Sequence, residues 1–375
     1  MQKYVFKKSY KKTIIFIIDI LGYFIFFPFR FFRKRPPSFR KILVVRADQA
    51  GDVVQALPFF ERLVKKYPEA EIHALVSAET AFLLKGGPGI KKIIKIDKGW
   101  FSGGRLLSLR TLFAAVKNIR KEKYDAAFEL RGDIRNIAAL FMGGVKYITG
   151  YGCAGGGFML DNAVSYDKNE HEIDKNLRLL GVESFPGKIE MNFPGGPAAE
   201  EAAGKIISGH EKNKKIFIHP FAGYASRMWG EENYVRLINM IRGKNPETVF
   251  FISGGPAEKG LMKKIFEIPG TVDLVGLGWE ETIAVIKRCG LFIGSDSVMQ
   301  YFSAYSGVNT AVIAGYIVEY GRWKPKVDSG KLEIFRIPVH CGPCESNVCV
   351  NEKEGHICMT GITPEMVYER IKKWV

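Results

Sequence analysis

The chain has 375 residues, 47% hydrophobic and 25% charged, a balance that excludes a disordered chain and suits two globular domains better than one core. The formal net charge is +16, but residues 1–41 hold eleven Lys and Arg against the single acid Asp19, a local +10 that leaves +6 for the other 334 residues. A body so mildly basic argues against nucleic acid as the partner.

The first expected element is an apolar run at 14–32, interrupted by Asp19, Gly22, Pro28 and Arg30 and bracketed by basic clusters. It is long enough to cross a bilayer core of roughly 30 Å. However, a carboxylate costs about 2.5–3.5 kcal/mol at the centre of a membrane helix. No small-residue cleavage site follows, and Pro36-Pro37 leads straight into a strand. Residues 1–38 therefore read as an uncleaved, membrane-associating helix that dips into or lies in an anionic leaflet, peripheral or monotopic. The alternative is an apolar helix packed on the protein's own surface.

A continuous apolar strand is expected at 41–45, followed by a helix opened by Gly51-Asp52 and running over 53–67. Next come a strand at 71–76, a helix at 79–84, a strand at 90–96, a helix at 107–121 and a strand at 125–130. These belong to one domain, 39–190. After a polar, Gly/Pro-containing stretch at 185–204 the pattern restarts in a second domain, 200–375. Strands are expected there at 215–219, 248–253, 272–275, 291–294 and 310–313. Helices are expected at 231–242, 258–266, 280–289, 297–306 and 364–374. Alternating strand and helix means parallel sheets covered on both faces, hence an α/β chain of two Rossmann-like domains facing a cleft. Ligands in such sheets bind beyond the carboxyl ends of the strands.

At the first strand end, Asp52 starts a helix, where its carboxylate either caps free N–H groups or takes a proton from a hydroxyl. No Gly-x-Gly-x-x-Gly is present, so nicotinamide chemistry has little support. Four segments then occur in order: Ile42-Leu-Val-Val-Arg-x-Asp-x-x-Gly-Asp-Val-Val-x-x-Leu-Pro58, His219-Pro-Phe-Ala-Gly-x-x-Ser-Arg-Met-Trp229, Gly254-Gly-Pro-Ala-Glu258 and Gly294-Ser-Asp-Ser297. Together they resemble the motifs of glycosyltransferase family 9, the ADP-heptose:lipopolysaccharide heptosyltransferases, and the resemblance runs from about residue 40 to the end.

The resemblance implies a GT-B fold with an N-terminal acceptor domain and a C-terminal nucleotide-sugar donor domain. It implies inverting transfer of a sugar, heptose from ADP-heptose in the family, to a lipid-linked glycan such as the lipopolysaccharide inner core, with no cofactor required. Asp52 corresponds to the family's catalytic base. Arg227 stands at the family's Lys position, toward the pyrophosphate. Glu258 corresponds to the acid that holds nucleoside hydroxyls and Asp296 to the one near the donor sugar, while Ser297 would supply hydrogen bonds at a helix start. Gly315 begins Gly-Tyr-Ile-Val-Glu319 where the family has Gly-Pro-Thr-Asp-Pro. On the residues alone, Glu258 and Asp296 also read as helix-start carboxylates and Arg227 as a solvated surface side chain. Asp296-Ser-Val-Met-Gln-Tyr301 departs from the family's Asp-Ser/Thr-Gly-x-x-His, so a changed donor pocket is expected. The alternatives are another nucleotide sugar, in O-chain or capsule assembly, and a catalytically silent binding protein.

Arg131 and Arg135, in Arg131-Gly-Asp-Ile-Arg135 after a strand, are candidates to bind acidic groups of the acceptor. The glycine-rich loop 152–157 is expected to form part of acceptor entry. Cys341, Cys344, Cys349 and Cys358, close to His340 and His356, leave structural zinc, disulfides and free thiols open. No export signal is recognised, so reduced thiols are the default. The expected location is the cytoplasmic face of the bacterial inner membrane, with the nucleotide-sugar donor, the lipid-linked acceptor and the anionic membrane surface as partners.

Overall fold

The computed structural model describes residues 4–6, 8–30, 33–87, 89–96, 109–185, 187–258, 260–351 and 353–375. The chain forms two compact units, Met1–Pro186 and Gly187–Val375.

The first unit begins with helix α1 (Ser9–Arg30) and then alternates β1 (Lys41–Val45), α2 (Ala50–Val54), α3 (Leu57–Lys66), β2 (Glu71–Ser77), β3 (Ile90–Ile96), α4 (Leu109–Glu122), β4 (Ala126–Glu129), α5 (Ile134–Met142), β5 (Tyr147–Tyr151), β6 (Asn162–Val164) and α6 (Glu172–Arg178). The six strands form one parallel sheet in the order β3-β2-β1-β4-β5-β6. β1 and β4 are buried nearly throughout, which is why they are continuous apolar runs and not alternating ones. The chain winds from β1 out to β3 and returns on the other side of β1 as β4. The β1/β4 boundary is thus the place where the winding reverses.

The helix expected at 53–67 is two helices, α2 and α3, parted at Gln55 and Ala56. Pro58 lies in the first turn of α3, the one part of a helix where its missing N–H costs nothing. The helix expected at 79–84 is a single 3-10 turn, Ala81–Leu84. The first two residues of the helix expected at 107–121 lie outside the described residues.

The apolar N-terminal run does form a helix, but no described helix is long and apolar enough to cross a membrane. One face of α1 is docked on its own unit. Asp19, 1% exposed, accepts hydrogen bonds from the Tyr4 hydroxyl and the Gly156 N–H, both at 2.8 Å, so burial leaves its carboxyl satisfied. Gly22 lies so close to Phe158 that an added Cβ would fall 2.4 Å from the ring. Phe26 packs on Phe141 and Phe158 with ring centroids 5.1 and 5.2 Å away. Beyond the helix, Arg33 donates to both Asp161 oxygens at 2.8 and 2.7 Å and to the Val145 carbonyl at 2.9 Å. The glycine-rich loop at 152–157 is the seat of this helix. Its backbone is left-handed at Gly155 (φ 94°) and Gly156 (φ 80°), and a Cβ on Gly155 would come within 2.8 Å of Ile15.

The second unit runs α7 (Pro197–Ile207), β7 (Lys215–His219), α8 (Glu231–Lys244), β8 (Val249–Gly254), β9 (Thr271–Val275), α9 (Trp279–Ile286), β10 (Leu291–Ser295), α10 (Met299–Tyr305), β11 (Asn309–Ile313), β12 (Leu332–Phe335), α11 (Ile357–Thr360) and α12 (Pro364–Ile371). Its parallel sheet has the order β12-β11-β10-β7-β8-β9, the same winding, with the reversal between β7 and β10. α7 occupies part of the stretch read as a linker. Pro197 starts it, and Ala199, Ala203 and Ile207, four residues apart, form its buried face. The helix expected at 258–266 is represented by two 3-10 turns, Pro256–Glu258 and Lys264–Glu267. The C-terminal α12 closes the core through Val367 and Ile371, and Trp229 donates to the Ile362 carbonyl at 2.7 Å.

Replacing Asp19 with Ala strands the Tyr4 hydroxyl and the Gly156 N–H, at about 1–3 kcal/mol for each unsatisfied buried group. We expect amide hydrogen exchange across residues 9–30 to accelerate by roughly 30-fold or more, while the β1 and β4 amides keep their protection. Equal acceleration in the strands would refute a locally docked helix.

Candidate active site

Each unit carries a charged cluster at the carboxyl ends of the two strands where its winding reverses. In open α/β sheets this is where side chains from two diverging loops can meet around a ligand.

In the first unit the cluster is built on Arg46, the residue after β1, only 2% exposed. Its guanidinium donates to the Leu130 carbonyl at 2.9 Å, to Glu172 at 2.8 Å and to Asp52 at 3.1 Å, and lies 3.3 Å from Asp48. Burial works against the Arg46 charge, but Asp48, Glu172 and Asp52 outweigh it and keep the group protonated. Lys175, 1% exposed, pairs with Glu172 at 2.8 Å, and Arg131 pairs with Asp48 at 2.5 Å. Three cations thus face three carboxylates. Burial pushes the Glu172 carboxyl up, yet Arg46 and Lys175 overcome it and hold it down at about 2. Asp52 differs. Burial and the neighbouring Asp48 raise its carboxyl to about 7, with Arg46 and Arg131 only partly opposing them. Its side chain remains 24% exposed, so this carboxyl can be reached from solvent.

After β4, the chain makes a left-handed turn at Gly132 (φ 80°), where a Cβ would collide with the Cys153 sulfur at 2.4 Å. The turn is held by Glu129, which accepts from the Gly132 N–H and from the Asn136 amide at 2.8 Å. Burial lifts the Glu129 carboxyl to about 8, making it mainly a neutral structural group at pH 7. Asp133 caps α5 by accepting from the Arg135 N–H at 3.0 Å and also binds the Arg135 guanidinium at 2.5 Å. The two arginines named from the sequence are therefore engaged, Arg131 with Asp48 and Arg135 with Asp133. Each keeps about a third of its side chain exposed, 35% and 30%.

In the second unit, Arg227 ends a 3-10 turn after β7, and its guanidinium lies 3.3 Å from Asp296, which follows β10. The other Asp296 oxygen accepts from the Gln300 amide at 2.7 Å, and Gln300 in turn accepts from the Tyr320 hydroxyl. Tyr301 donates to the Trp323 carbonyl at 2.9 Å. Ser297 is not a first-turn residue: α10 begins at Met299, and the Ser297 hydroxyl accepts from the Met299 N–H at 3.3 Å. Glu258, after β8, folds back to accept from the Gly255 N–H at 2.6 Å, and burial raises its carboxyl although that hydrogen bond opposes the shift. Gly315, after β11, is buried where a Cβ would stand 3.1 Å from the Met359 sulfur, so it provides close packing. His219 is buried, hydrogen-bonded to Ser253 at 2.9 Å and pushed down to about 4 by burial, a neutral structural group.

The four C-terminal cysteines line one cavity of about 20 Å³ together with Tyr316 and His356. Among the described residues no three His, Cys, Asp or Glu side chains are disposed to hold a metal ion, and all six cysteines are free thiols. Cys349 is exposed and directs its sulfur to the Gly355 and Asn351 carbonyls at 3.5 and 3.8 Å, whereas Cys358 is buried. What the segment does is brace the Arg227 turn: His356 contacts the Ser226 carbonyl at 2.6 Å, and the Ser226 hydroxyl donates to the Ser346 carbonyl at 3.3 Å.

Sequence reasoning missed Arg46, Asp48, Glu172 and Lys175. Arg46 and Asp48 stood inside the first motif, where a charged residue directly after a continuous apolar strand was the available signal. Glu172 and Lys175 lie more than 120 residues away, and only the fold brings them to β1.

The sequence model of glycosyltransferase family 9 (heptosyltransferase) matches residues 112–353. Lipooligosaccharide heptosyltransferase 2 of Campylobacter jejuni is 25% identical over 347 residues, covering 89% of this chain and 98% of the relative. Two solved structures share the fold. A glycosyl transferase family 9 protein from Veillonella parvula superposes with a TM-score of 0.73 at 16% identity, covering 90% of this chain and 97% of the other. The Escherichia coli ADP-heptose lps heptosyltransferase II does so with a TM-score of 0.69 at 16% identity, covering 89% and 98%. With the family motifs set at the carboxyl ends of strands in two parallel sheets and the family match spanning most of its length, the chain is a member of glycosyltransferase family 9, the heptosyltransferases.

Proposed function

We propose that the chain transfers heptose from ADP-heptose to a hydroxyl of a lipid-linked glycan such as the lipopolysaccharide inner core, with inversion, at the cytoplasmic face of the inner membrane. The observation that carries this reading is Asp52, a solvent-reachable carboxyl raised to about 7 at the reversal point of the first sheet. A base with a pKa near the working pH is half available and still strong enough to take a proton as an oxygen becomes nucleophilic. In the second unit, Arg227 next to Asp296 supports a site for the departing diphosphate, whose charge calls for fixed donors and not for covalent help from the protein. The donor named for the Escherichia coli structural neighbour is ADP-heptose.

In this mechanism the ionised Asp52 accepts the acceptor's hydroxyl proton. The acceptor oxygen bonds to the anomeric carbon from the face opposite the diphosphate. The bond from that carbon to the leaving oxygen breaks, and ADP departs with its electron pair toward Arg227. One displacement inverts the anomeric centre. Asp48 and Glu172 share Arg46 with Asp52, so that the cation cannot neutralise Asp52 fully. Arg131 and Arg135 would take acidic groups of the acceptor by exchanging their present carboxylate partners.

A second reading, another nucleotide sugar, is favoured by the side chains around Asp296. Gln300, itself held by the Tyr320 hydroxyl, occupies one of its oxygens, and Tyr301 stands where the family motif has His. A thermal-shift series with ADP-heptose and with UDP and GDP sugars separates the two readings, since a ligand at a hundredfold excess over its Kd stabilises by about 2.7 kcal/mol. A selective ADP-heptose response supports the first, and a selective UDP- or GDP-sugar response replaces it with the second.

Because the base must be ionised, kcat/KM is expected to rise with pH through about 7 and to level above it. Asp52→Asn should lower kcat by roughly 10²- to 10⁴-fold and abolish that rise. An Asn variant with unchanged turnover would refute the assignment. Arg227→Ala should weaken binding of the donor diphosphate by roughly 10- to 150-fold, the worth of one hydrogen bond to a charged group, measured by calorimetry with ADP. Unchanged ADP affinity would remove Arg227 from the donor site.

A further inference from the structure

Docking of α1 leaves its other face exposed. Ile14, Ile17, Leu21, Phe24, Ile25 and Phe27 are 51–78% exposed. Their spacing sets them along one side of the helix, opposite the Asp19, Gly22 and Phe26 side that meets the body. Between Thr13 and Pro28 the only Asp, Glu, Lys, Arg or His is Asp19, which is buried. The exposed surface of these turns, about four of them, is therefore uncharged and large, far beyond the scattered apolar side chains that a soluble surface normally carries.

The ends of the helix supply the complementary charge. Lys8 and Lys11 are exposed before the apolar face, and Lys34 and Arg35 are exposed after it. Residues 1–41 contain no acid apart from Asp19. We propose that α1 is an in-plane anchor that seats this face in the interfacial region of an anionic lipid leaflet while the opposite face stays bolted to the first unit. A second copy of the chain is the disfavoured occupant. Both ends of α1 are basic, so parallel and antiparallel pairing of two such helices each set like charge against like. A leaflet accommodates both basic ends at once, its headgroups taking the Lys and Arg and its acyl chains taking the aromatic and branched side chains. The proposal concerns attachment and does not depend on which sugar is transferred.

The test uses the full chain, co-sedimented with vesicles of phosphatidylethanolamine containing about one-third phosphatidylglycerol, and with phosphatidylcholine vesicles as the uncharged control. The wild type is expected to sediment with the anionic vesicles, and more weakly with the neutral ones. The Leu21→Asp/Phe24→Asp double variant, altered only at exposed positions, should lose at least roughly 100-fold in partitioning while its ADP-induced thermal shift and the exchange protection of β1 match the wild type. Lys8→Glu/Lys11→Glu should reduce binding to anionic vesicles and leave the neutral-vesicle value unchanged. Light scattering of the vesicle-free protein covers the other occupant. A wild-type dimer that the double variant converts to a monomer, with no sedimentation in either case, overturns the proposal. So does equal sedimentation of wild type and double variant.

Discussion

A buried arginine organises the first unit. Arg46 leaves the end of a fully enclosed strand, and an unpaired guanidinium there would be intolerable. The need to surround it recruits the Leu130 carbonyl beyond β4, Asp48 and Asp52 from the turn into α2, and Glu172 from α6. Four segments distant in sequence are thereby drawn to one point. The carboxylates are not equivalent because they share one cation unequally. Glu172 has Lys175 as a second partner and stays ionised, whereas Asp52 has the longer contact to Arg46 and the like charge of Asp48 nearby. The difference between a carboxyl held ionised and one raised toward neutrality arises from allocation of cations, not from the identity of the side chain.

The second unit repeats the architecture with different chemistry. Its reversal point carries one Arg–Asp pair at 3.3 Å, and its acid is steadied by Gln300 in place of a second cation. The Arg227 turn has little regular structure of its own, a single 3-10 turn, and leans on the cysteine-rich segment through Ser226 and His356. This gives the cysteine segment a mechanical role in holding that turn.

Much of this was legible in the sequence, for definite physical reasons. Fully buried parallel strands must be continuous apolar runs, so Lys41–Val45 and Leu291–Ser295 announced themselves. Asp52, Glu258 and Asp296 were named through the resemblance to the family motifs, since on the residues alone each also reads as a helix-start carboxylate. Interactions between segments far apart in the chain were not legible. The glycines of 152–157 looked like a mobile entry loop because nothing local reveals that α1 lies on them. Asp19 looked like a flaw in an apolar segment until Tyr4 and Gly156 supplied its partners. The stretch at 185–204 looked like a linker because its Pro and Gly content masked the Ala199, Ala203 and Ile207 face of α7.

The location of both clusters has a consequence for how the chain acquires its competence. A reversal point exists only after the chain has travelled to one edge of the sheet and come back. Arg46 and Leu130 are 84 residues apart, and Ser295 and Pro220 across the corresponding boundary are 75 apart. During synthesis β1, β2 and β3 can pair as soon as they emerge, but the surroundings of Asp52 wait for β4 and then α6, among the last pieces of the unit to be made. Closing such long loops is the slow part of assembling a parallel sheet. The chain therefore holds a sheet before it holds the charged cluster around Asp52.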